Sequence, residues 1–257
     1  MKYLRPLITI CGLLLVWSVV VSLTELPKFI LPPPGLVFKT LIEKYDLIAE
    51  HALITAVEIV LGLLVGISFG MVSALLISAY RPVRQWVLPM LIASQAVPVF
   101  AIAPLLVIWM GYGLAPKVIV GALIIYFPVA VGFLDGLNRT DPAWLNLAAL
   151  LQKSGSKSAV RNHYALYRYI KIPFALPSLA SGIRVGTAIA PIGAIVGEWV
   201  GSSAGLGFLM LNSNARMQID LVFASLMVLT FMALTLYYLV DHGLRWAMPW
   251  QPDQKIA

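Results

Sequence analysis

Long runs of apolar residues dominate the chain and are separated by short polar segments. Six of these runs approach or exceed the roughly 20 residues that a helix needs to cross the hydrocarbon core of a membrane. A backbone in lipid must satisfy its own hydrogen-bonding groups, so we expect each run to be helical. The six predicted spans are Leu7–Leu23, Ala52–Ala79, Val87–Met110, Ala115–Leu134, Phe174–Val200 and Leu221–Ala247.

The amino-acid composition agrees with this interpretation. Of the 257 residues, 60% are hydrophobic and only 11% are charged, and the mean hydropathy is +0.90. A soluble domain carries about 25% charged residues, so this chain has too few charges to cover a surface that faces water. The sequence therefore predicts an all-α membrane protein in which residues 1–257 form a single transmembrane domain.

The distribution of Lys and Arg predicts the orientation in the membrane. With the N-terminus in the cytosol, twelve of the 18 basic residues fall on the cytosolic side, five fall outside and Arg184 lies within the fifth span. Cytosolic loops are enriched in Lys and Arg, so we expect both termini in the cytosol. A signal peptide is the alternative for the first apolar run, but its length and the lack of a small-x-small cleavage site favour an uncleaved helix.

The loop after the first span is expected outside, and residues 32–50 form a distinct segment within it. Three consecutive prolines, Pro32 to Pro34, predict a stiff and non-helical start. Apolar residues then recur at nearly helical spacing with charges between them, at positions 37, 38, 41, 42, 45 and 48. This pattern predicts an amphipathic helix that lies at the outer face of the membrane.

Glycines recur every four positions on two of the predicted spans. This spacing places them on one helix face, where they let two helix backbones approach closely in lipid. We therefore predict that both helices pack in a bundle, and sliding surfaces in a protein that changes shape are the alternative. The predicted packing residues are Gly62, Gly66 and Gly70 on the second span and Gly182 and Gly186 on the fifth.

A polar pair in the third span is a candidate for lining a solute pathway. Ser94 and Gln95 come just before Pro98, and proline kinks a helix because it removes a backbone hydrogen bond. An amide within the membrane either lines a pathway or bonds a neighbouring helix. The sequence leaves both possibilities open.

Two carboxylates are further candidates for the pathway. Glu58 lies about two turns inside the outer end of the second span, where a charge needs water or a partner. Arg216 or Arg184 would supply a partner, and snorkelling to the interface would supply water. Glu198 lies at the outer end of the fifth span, before a Gly-rich stretch that we expect to form a tight turn or a short re-entrant segment.

Several kinds of chemistry find no support in the sequence. No Gly-x-x-x-x-Gly-Lys-Ser/Thr motif is present, so the chain does not bind a nucleotide by that device. No catalytic constellation stands out, and the three His residues are too far apart in sequence to predict a metal site. The net charge of +7 comes from basic residues between apolar spans, which is a topology signal and not a nucleic-acid signal.

Residues 139–172 form a conspicuous polar interruption between two spans, and the predicted topology places them in the cytosol. Only one acid, Asp141, accompanies the basic residues of this segment. We therefore expect the segment to contact a cytosolic partner. Its basic residues are Arg139, Lys153, Lys157, Arg161, Arg168 and Lys171.

This segment resembles the cytosolic loop of bacterial ABC importer permeases, the inner-membrane components of binding-protein-dependent transport systems. In that family an acidic-Ala-Ala start, a Gly and a closing Ile-x-Leu-Pro-like element build the helix that docks on the ATPase subunit. Asn146 stands where an acid is usual, and the stretch from Ala148 to Pro173 is longer than usual. The residues to which the resemblance assigns ATPase coupling are Leu147, Ala148, Ala149, Gly155, Ile172 and Pro173.

The resemblance extends over nearly the whole chain. It is closest to the branch that imports taurine, sulfonates, nitrate and pyrimidine precursors. The residues from Ala190 to Gly201, together with those from Asn214 to Asp220, look most like permeases for hydroxymethylpyrimidine, a thiamine precursor. Other matching stretches run from Leu31 to Gly35, from Pro104 to Gly113 and from Glu198 to Gly207.

The resemblance implies a type I ABC importer transmembrane fold in the bacterial inner membrane. It implies three partners: a second copy of the permease, an ATP-binding subunit that holds ATP and Mg, and an extracytoplasmic binding protein. The chain itself would hold no cofactor and would not be an enzyme. The implied substrate is hydroxymethylpyrimidine, with taurine, an aliphatic sulfonate or nitrate as alternatives. A secondary carrier or channel without an ATPase, which would need charged groups at mid-membrane depth, and a membrane scaffold are the alternatives from other classes.

Overall fold

The computed structural model describes residues 4–146 and 164–250, and these residues form helices joined by short turns. A π-helical turn, Tyr167–Lys171, leads directly into α7. This architecture confirms the all-α class. The helices in chain order are α1 (Leu4–Thr24), α2 (Pro34–Glu43), α3 (Tyr45–Ala79), α4 (Arg81–Ser94), α5 (Val99–Met110), α6 (Leu114–Asn138), α7 (Ile172–Gly201), α8 (Leu206–Ala215) and α9 (Ile219–Ala247).

Four helical stretches are long and apolar enough to cross a membrane, namely α3, α6, α9 and the stretch Tyr164–Gly201 that contains α7. The bent pair of α4 and α5 makes a fifth if it is counted as one crossing. The apolar part of α1, Cys11–Thr24, is shorter. The predicted count of six and the cytosolic position of both termini therefore stay predictions.

The third predicted span, Val87–Met110, is not one straight helix. Its two halves, α4 and α5, are bent by 103° at a short break that runs from Gln95 to Pro98. Pro98 has no N–H to continue the hydrogen-bond ladder, and its ring disfavours helical geometry at Val97. Pro98 is instead the N-cap residue of α5, so the break follows directly from the sequence.

The central helix of the bundle is α6, which lies between α3 and α7. Both glycine stripes face it, because a Cβ added at any of the five predicted packing glycines would come within 3.5 Å of an α6 atom. The stripes therefore pack against a shared neighbour and not against each other. The α6 side chains Ile125, Val129 and Phe133 are at most 1% exposed and fill the core between the three helices.

The segment predicted to lie outside, residues 32–50, is divided between two helices. Pro34 is the first residue of α2, contrary to the expectation from the three prolines, because proline is compatible with the first helical position. After Lys44, α3 begins at Tyr45, well before the predicted Ala52. α2 packs on α9, where Thr40 Oγ1 donates to Asp220 Oδ2 at 2.6 Å.

Candidate functional site

A cavity of about 710 Å³ lies beside the break between α4 and α5. Its lining comes from residues 94–99 at the break, from the α6 residues between Leu123 and Arg139, and from the α7 residues between Ser178 and Ile189. Most of these side chains are aliphatic, and Phe127 adds an aromatic ring. Its volume falls within the range of about 300–1,000 Å³ that is usual for small-molecule sites.

The polar pair predicted for the pathway lies on this cavity. Ser94 Oγ donates to the Leu91 carbonyl at 2.7 Å, and Gln95 Nε2 donates to Ser94 Oγ at 3.4 Å. Within the described residues neither side chain bonds a neighbouring helix, which disfavours the alternative interpretation of this pair. Two hydroxyls of α7, those of Ser178 and Ser181, add further donors and acceptors to the lining.

Among the described residues that line the cavity, two carry a charge. Asp135 and Arg139 lie four positions apart near the end of α6, which places them on the same helix face one turn apart. Their charges are opposite. The lining therefore carries no net charge.

The wall between α6 and α7 is formed by direct backbone contact. A Cβ added to Gly132 would lie 3.2 Å from the Cα atom of Gly182, which itself lines the cavity. Larger residues at either position would force the two helices apart. The packing glycine Gly182 therefore also shapes the cavity.

The other two pathway candidates, Glu58 and Glu198, lie apart from the cavity in the interface of α3, α6 and α7. Glu58 forms an ion pair with Lys117. Glu58 is 2% exposed, Lys117 is 8% exposed and Glu198 is 1% exposed, so all three residues are buried. The two carboxylates also interact electrostatically with each other. Lys117 Nζ further donates to Ser202 Oγ at 3.0 Å. These residues form a buried ionic cluster, and a pathway role for the two carboxylates stays a prediction.

The partners expected for Glu58 were wrong. Arg184 is paired with Asp241 of α9, with 2.6 Å between Nε and Oδ1. Asp241 also accepts from Arg245 at 2.9 Å. The sequence indicates that Glu58 needs a partner, but it counts Lys117, near the start of the fourth predicted span, as one of the five basic residues on the outer side.

Glu198 holds the start of α8 in place. Its Oε2 atom accepts the backbone N–H groups of Gly207 at 2.5 Å and Phe208 at 3.2 Å. Its Oε1 atom accepts from Thr55 Oγ1 at 2.6 Å, and Thr55 Oγ1 accepts the N–H of Leu206 at 2.8 Å. A carboxylate at a helix N-terminus satisfies unpaired N–H groups and complements the helix dipole. The cluster therefore fixes the start of α8 against α3 and α7.

The described residues contain no group of three or more His, Cys, Asp and Glu side chains that could hold a metal ion. What the geometry offers is a bent helix, a neutral cavity and a buried ionic cluster.

Comparison with known families decides between the classes of membrane protein. The family described as "Binding-protein-dependent transport system inner membrane component" matches residues 62–249. The chain belongs to this family. It is therefore a permease subunit of an ABC importer, a multi-pass inner-membrane protein with the type I importer fold, and it is not itself catalytic.

Individual relatives of this permease align over almost its full length. A protein of Haemophilus influenzae named "Probable ABC transporter permease protein" is 47% identical, over 96% of this chain and 99% of the relative. The Riboflavin transport system permease protein RibX of Chloroflexus aurantiacus is 33% identical, over 95% and 89% of the two chains. The Formylaminopyrimidine transport permease protein ThiX of Halalkalibacterium halodurans is 29% identical, over 98% and 97%.

The residues predicted to couple this permease to an ATPase fall only partly within the described structure. Leu147, Ala148, Ala149 and Gly155 lie outside the described residues. Ile172 is the first residue of α7, and Pro173 follows it directly after the π-helical turn. The closing element of the predicted coupling segment is thus continuous with a spanning helix.

The entry into α7 is also tied to α3. The hydroxyl of Tyr167, in the π-helical turn, is hydrogen-bonded to Ser78 Oγ at 3.0 Å. Ser78 lies in the last turn of α3. The Lys171 ammonium lies 4.8 Å from the centre of the Tyr167 ring, in cation–π geometry. A movement of this turn would therefore act on two helices of the permease.

Proposed function

We propose that two copies of this permease surround a central pathway for a small solute. Each copy docks on one ATP-binding subunit, which holds ATP and Mg, and an extracytoplasmic binding protein delivers the solute. The observation that carries this proposal is the cavity beside the break between α4 and α5, whose largely apolar lining includes the polar side chains of Ser94, Gln95, Ser178 and Ser181. Non-helical backbone within a membrane is tolerated where it is buried in protein or lines a water-filled space, and solute sites of transporters are commonly built at broken helices.

Exposed side chains around the cavity support a second copy. Phe100, Val185 and Ile192 are 66%, 50% and 59% exposed, and they lie on or next to the elements that line the cavity. Two copies that meet on these faces would turn two open cavities into one enclosed pathway. Homo-oligomers of this kind are usually symmetric pairs.

The mechanism transmits a movement of the ATPase to the cavity through α7. ATP binding draws the two ATP-binding subunits together and moves the attached coupling segments. The stretch Tyr164–Gly201 is continuous, so a displacement at Ile172 reaches Ser178 and Ser181 within three turns of the same helix. Hydrolysis then reverses the movement, and the pathway alternates between its two openings.

For the solute we propose hydroxymethylpyrimidine or a closely related thiamine precursor. The name of the ThiX relative specifies a formylaminopyrimidine, and the name of the RibX relative specifies riboflavin, which also contains a fused pyrimidine ring. The relative at 47% identity carries no solute in its name. Taurine, aliphatic sulfonates and nitrate are the competing solutes.

Two measurements test the proposal. Affinity purification of the permease should recover an ATP-binding subunit at one per chain, and its absence would favour a carrier or channel. Binding of the pyrimidine, riboflavin, taurine and nitrate to the partner binding protein then identifies the solute. A binding protein that takes taurine or nitrate and ignores the pyrimidine would refute the proposed substrate while leaving the importer intact.

A further inference from the structure

The charge balance of the cavity restricts the class of solute that can pass through it. Asp135 and Arg139 are the charged residues among the described residues of its lining, one of each sign. An ion that leaves water for a low-dielectric cavity loses several kcal/mol of solvation unless an opposite charge compensates it. The described part of this lining has no net charge with which to compensate either an anion or a cation. A neutral solute has no such requirement.

The polar groups of the cavity instead suit a solute with both donors and acceptors. Each of the hydroxyls of Ser94, Ser178 and Ser181 can donate or accept, and the amide of Gln95 can do both at once. Phe127 and the aliphatic side chains around it can cover the faces of a flat ring. Together these groups match a neutral heteroaromatic molecule with ring nitrogens and exocyclic amino or hydroxyl groups.

Gln95 is the polar group best placed to reach such a solute. It is exposed and lies just beyond the end of α4, as its C-cap residue. Its side-chain amide makes one long hydrogen bond, at 3.4 Å to Ser94 Oγ. By contrast, Ser94 Oγ is committed to the carbonyl of Leu91 at 2.7 Å. The Gln95 amide can therefore exchange its weak contact for a solute at little cost.

We propose that this cavity admits uncharged, hydrogen-bonding heteroaromatic solutes and that Gln95 is a specificity-determining contact. This inference rests on the proposed function and deepens it. It adds a rule that the permease imposes in addition to the selectivity of the binding protein: sulfonates and nitrate are disfavoured because the described part of the lining carries one acid and one base, and so no net charge that would compensate theirs.

The test uses proteoliposomes that contain the full importer together with its binding protein and measures ATP-driven uptake of hydroxymethylpyrimidine. Gln95→Ala should lower uptake at subsaturating solute by about three- to tenfold, the equivalent of one hydrogen bond. Gln85→Ala is the matched control, because Gln85 is also exposed on α4 but does not line the cavity. ATP hydrolysis stimulated by the binding protein should be preserved in Gln95→Ala, which separates a solute contact from a folding defect.

Two charged variants test the neutrality rule itself. Gln95→Glu and Gln95→Lys should reduce uptake to a similar extent, because a neutral solute does not distinguish the sign of a nearby charge. If uptake by Gln95→Lys exceeds uptake by Gln95→Glu by tenfold or more, the solute is an anion. If uptake by Gln95→Glu is the higher by the same factor, the solute is a cation. Either result overturns the inference. Uptake that is insensitive to every change at Gln95 also overturns it while the proposed function stands. Wild-type importer that hydrolyses ATP without importing any of the candidate solutes would refute the proposed function as well.

Discussion

A Cβ built on Gly182 of α7 would lie 2.5 Å from the carbonyl oxygen of Pro128 on α6. Real Cβ atoms do not come so close to another heavy atom, and the obstacle is backbone that cannot turn aside. In lipid, where helix association depends on close packing more than on hydrophobic burial, such contacts hold a bundle together. The same two residues line the cavity, so the contact connects the stability of the bundle with the shape of the pathway.

We expect Gly182→Ala to destabilise the permease by about 1–3 kcal/mol, because the added methyl group forces α6 and α7 apart. The measurement is thermal unfolding of the purified protein in detergent. Gly243→Ala is the matched control: Gly243 also lies within a helix, but nothing is within 4 Å of its added Cβ. That variant should be neutral or slightly stabilising, since Ala favours helix over Gly by about 1 kcal/mol. Equal losses in both variants would contradict the packing role.

The glycine stripes show what the sequence could and could not predict about the fold. Spacing on one helix identifies the face that packs, and the residues named on α3 and α7 do face a neighbour. Spacing carries no information about which helix lies opposite. The surfaces of α6 contain Gly121 and Ala122 towards α3, and Gly132 and Gly136 towards α7. Gly132 and Gly136 have the same four-residue spacing, but spacing does not show that α6 meets two helices, so its central position emerges only in three dimensions.

The candidate site, like the fold, could be predicted only in part from the sequence. Ser94 and Gln95 were identified because polar residues beside a proline are unusual within an apolar run, and they do line a cavity. Lys117 was missed because counting basic residues treats a Lys near a span end as exposed. Its burial depends on close approach of α7, where a Cβ added to Gly197 would lie 3.0 Å from the Cα atom of Lys117. That contact joins residues far apart in sequence.

Removing one partner of the buried ion pair should be costly. Lys117→Met leaves the Glu58 carboxylate without its cation, and such losses typically amount to about 3–5 kcal/mol. The double variant Lys117→Met with Glu58→Gln should recover part of this loss, because the carboxylate that lost its cation is then neutral. The measurement is thermal unfolding in detergent of the wild type, of Lys117→Met and of the double variant.

An exposed ion pair on the same protein provides the control for that experiment. Lys39 and Glu43 are 3.6 Å apart on α2, with side chains 67% and 61% exposed. Exposed pairs contribute about 0–1 kcal/mol, so Lys39→Met should change stability little. A Lys117→Met variant as stable as Lys39→Met would show that the cluster does not hold α3, α6 and α7 together.

The hydroxyl of Thr55 should be required to hold α8. Thr55→Val keeps the shape of the side chain but removes both the acceptor for the Leu206 N–H and a donor to Glu198. The loss of buried hydrogen bonds costs about 1–3 kcal/mol, so amide hydrogen exchange within Leu206–Ala215 should accelerate by about tenfold or more.

Thr187→Val is the matched control for this change. Both threonines are 0% exposed, but the Thr187 hydroxyl donates to the Ile183 carbonyl of its own helix, at 2.8 Å. Its replacement should leave exchange in α8 unchanged. If Thr55→Val and Thr187→Val behave alike, α8 is held by its apolar contacts and not by the cluster around Glu198.

The predicted coupling segment makes a separate prediction about energy transfer. Ala148→Glu or Ala149→Glu should abolish ATP-driven uptake without abolishing ATP hydrolysis, because a bulky charge in a packed docking surface costs about 2 kcal/mol or more and weakens docking at least about tenfold. Uptake and hydrolysis are measured in the same proteoliposomes. Ala143→Glu is the control, since Ala143 is exposed and precedes the predicted docking residues. Normal uptake in both Ala148→Glu and Ala149→Glu would refute the assignment of this segment, and loss of uptake in Ala143→Glu would show that any added charge in the loop is harmful.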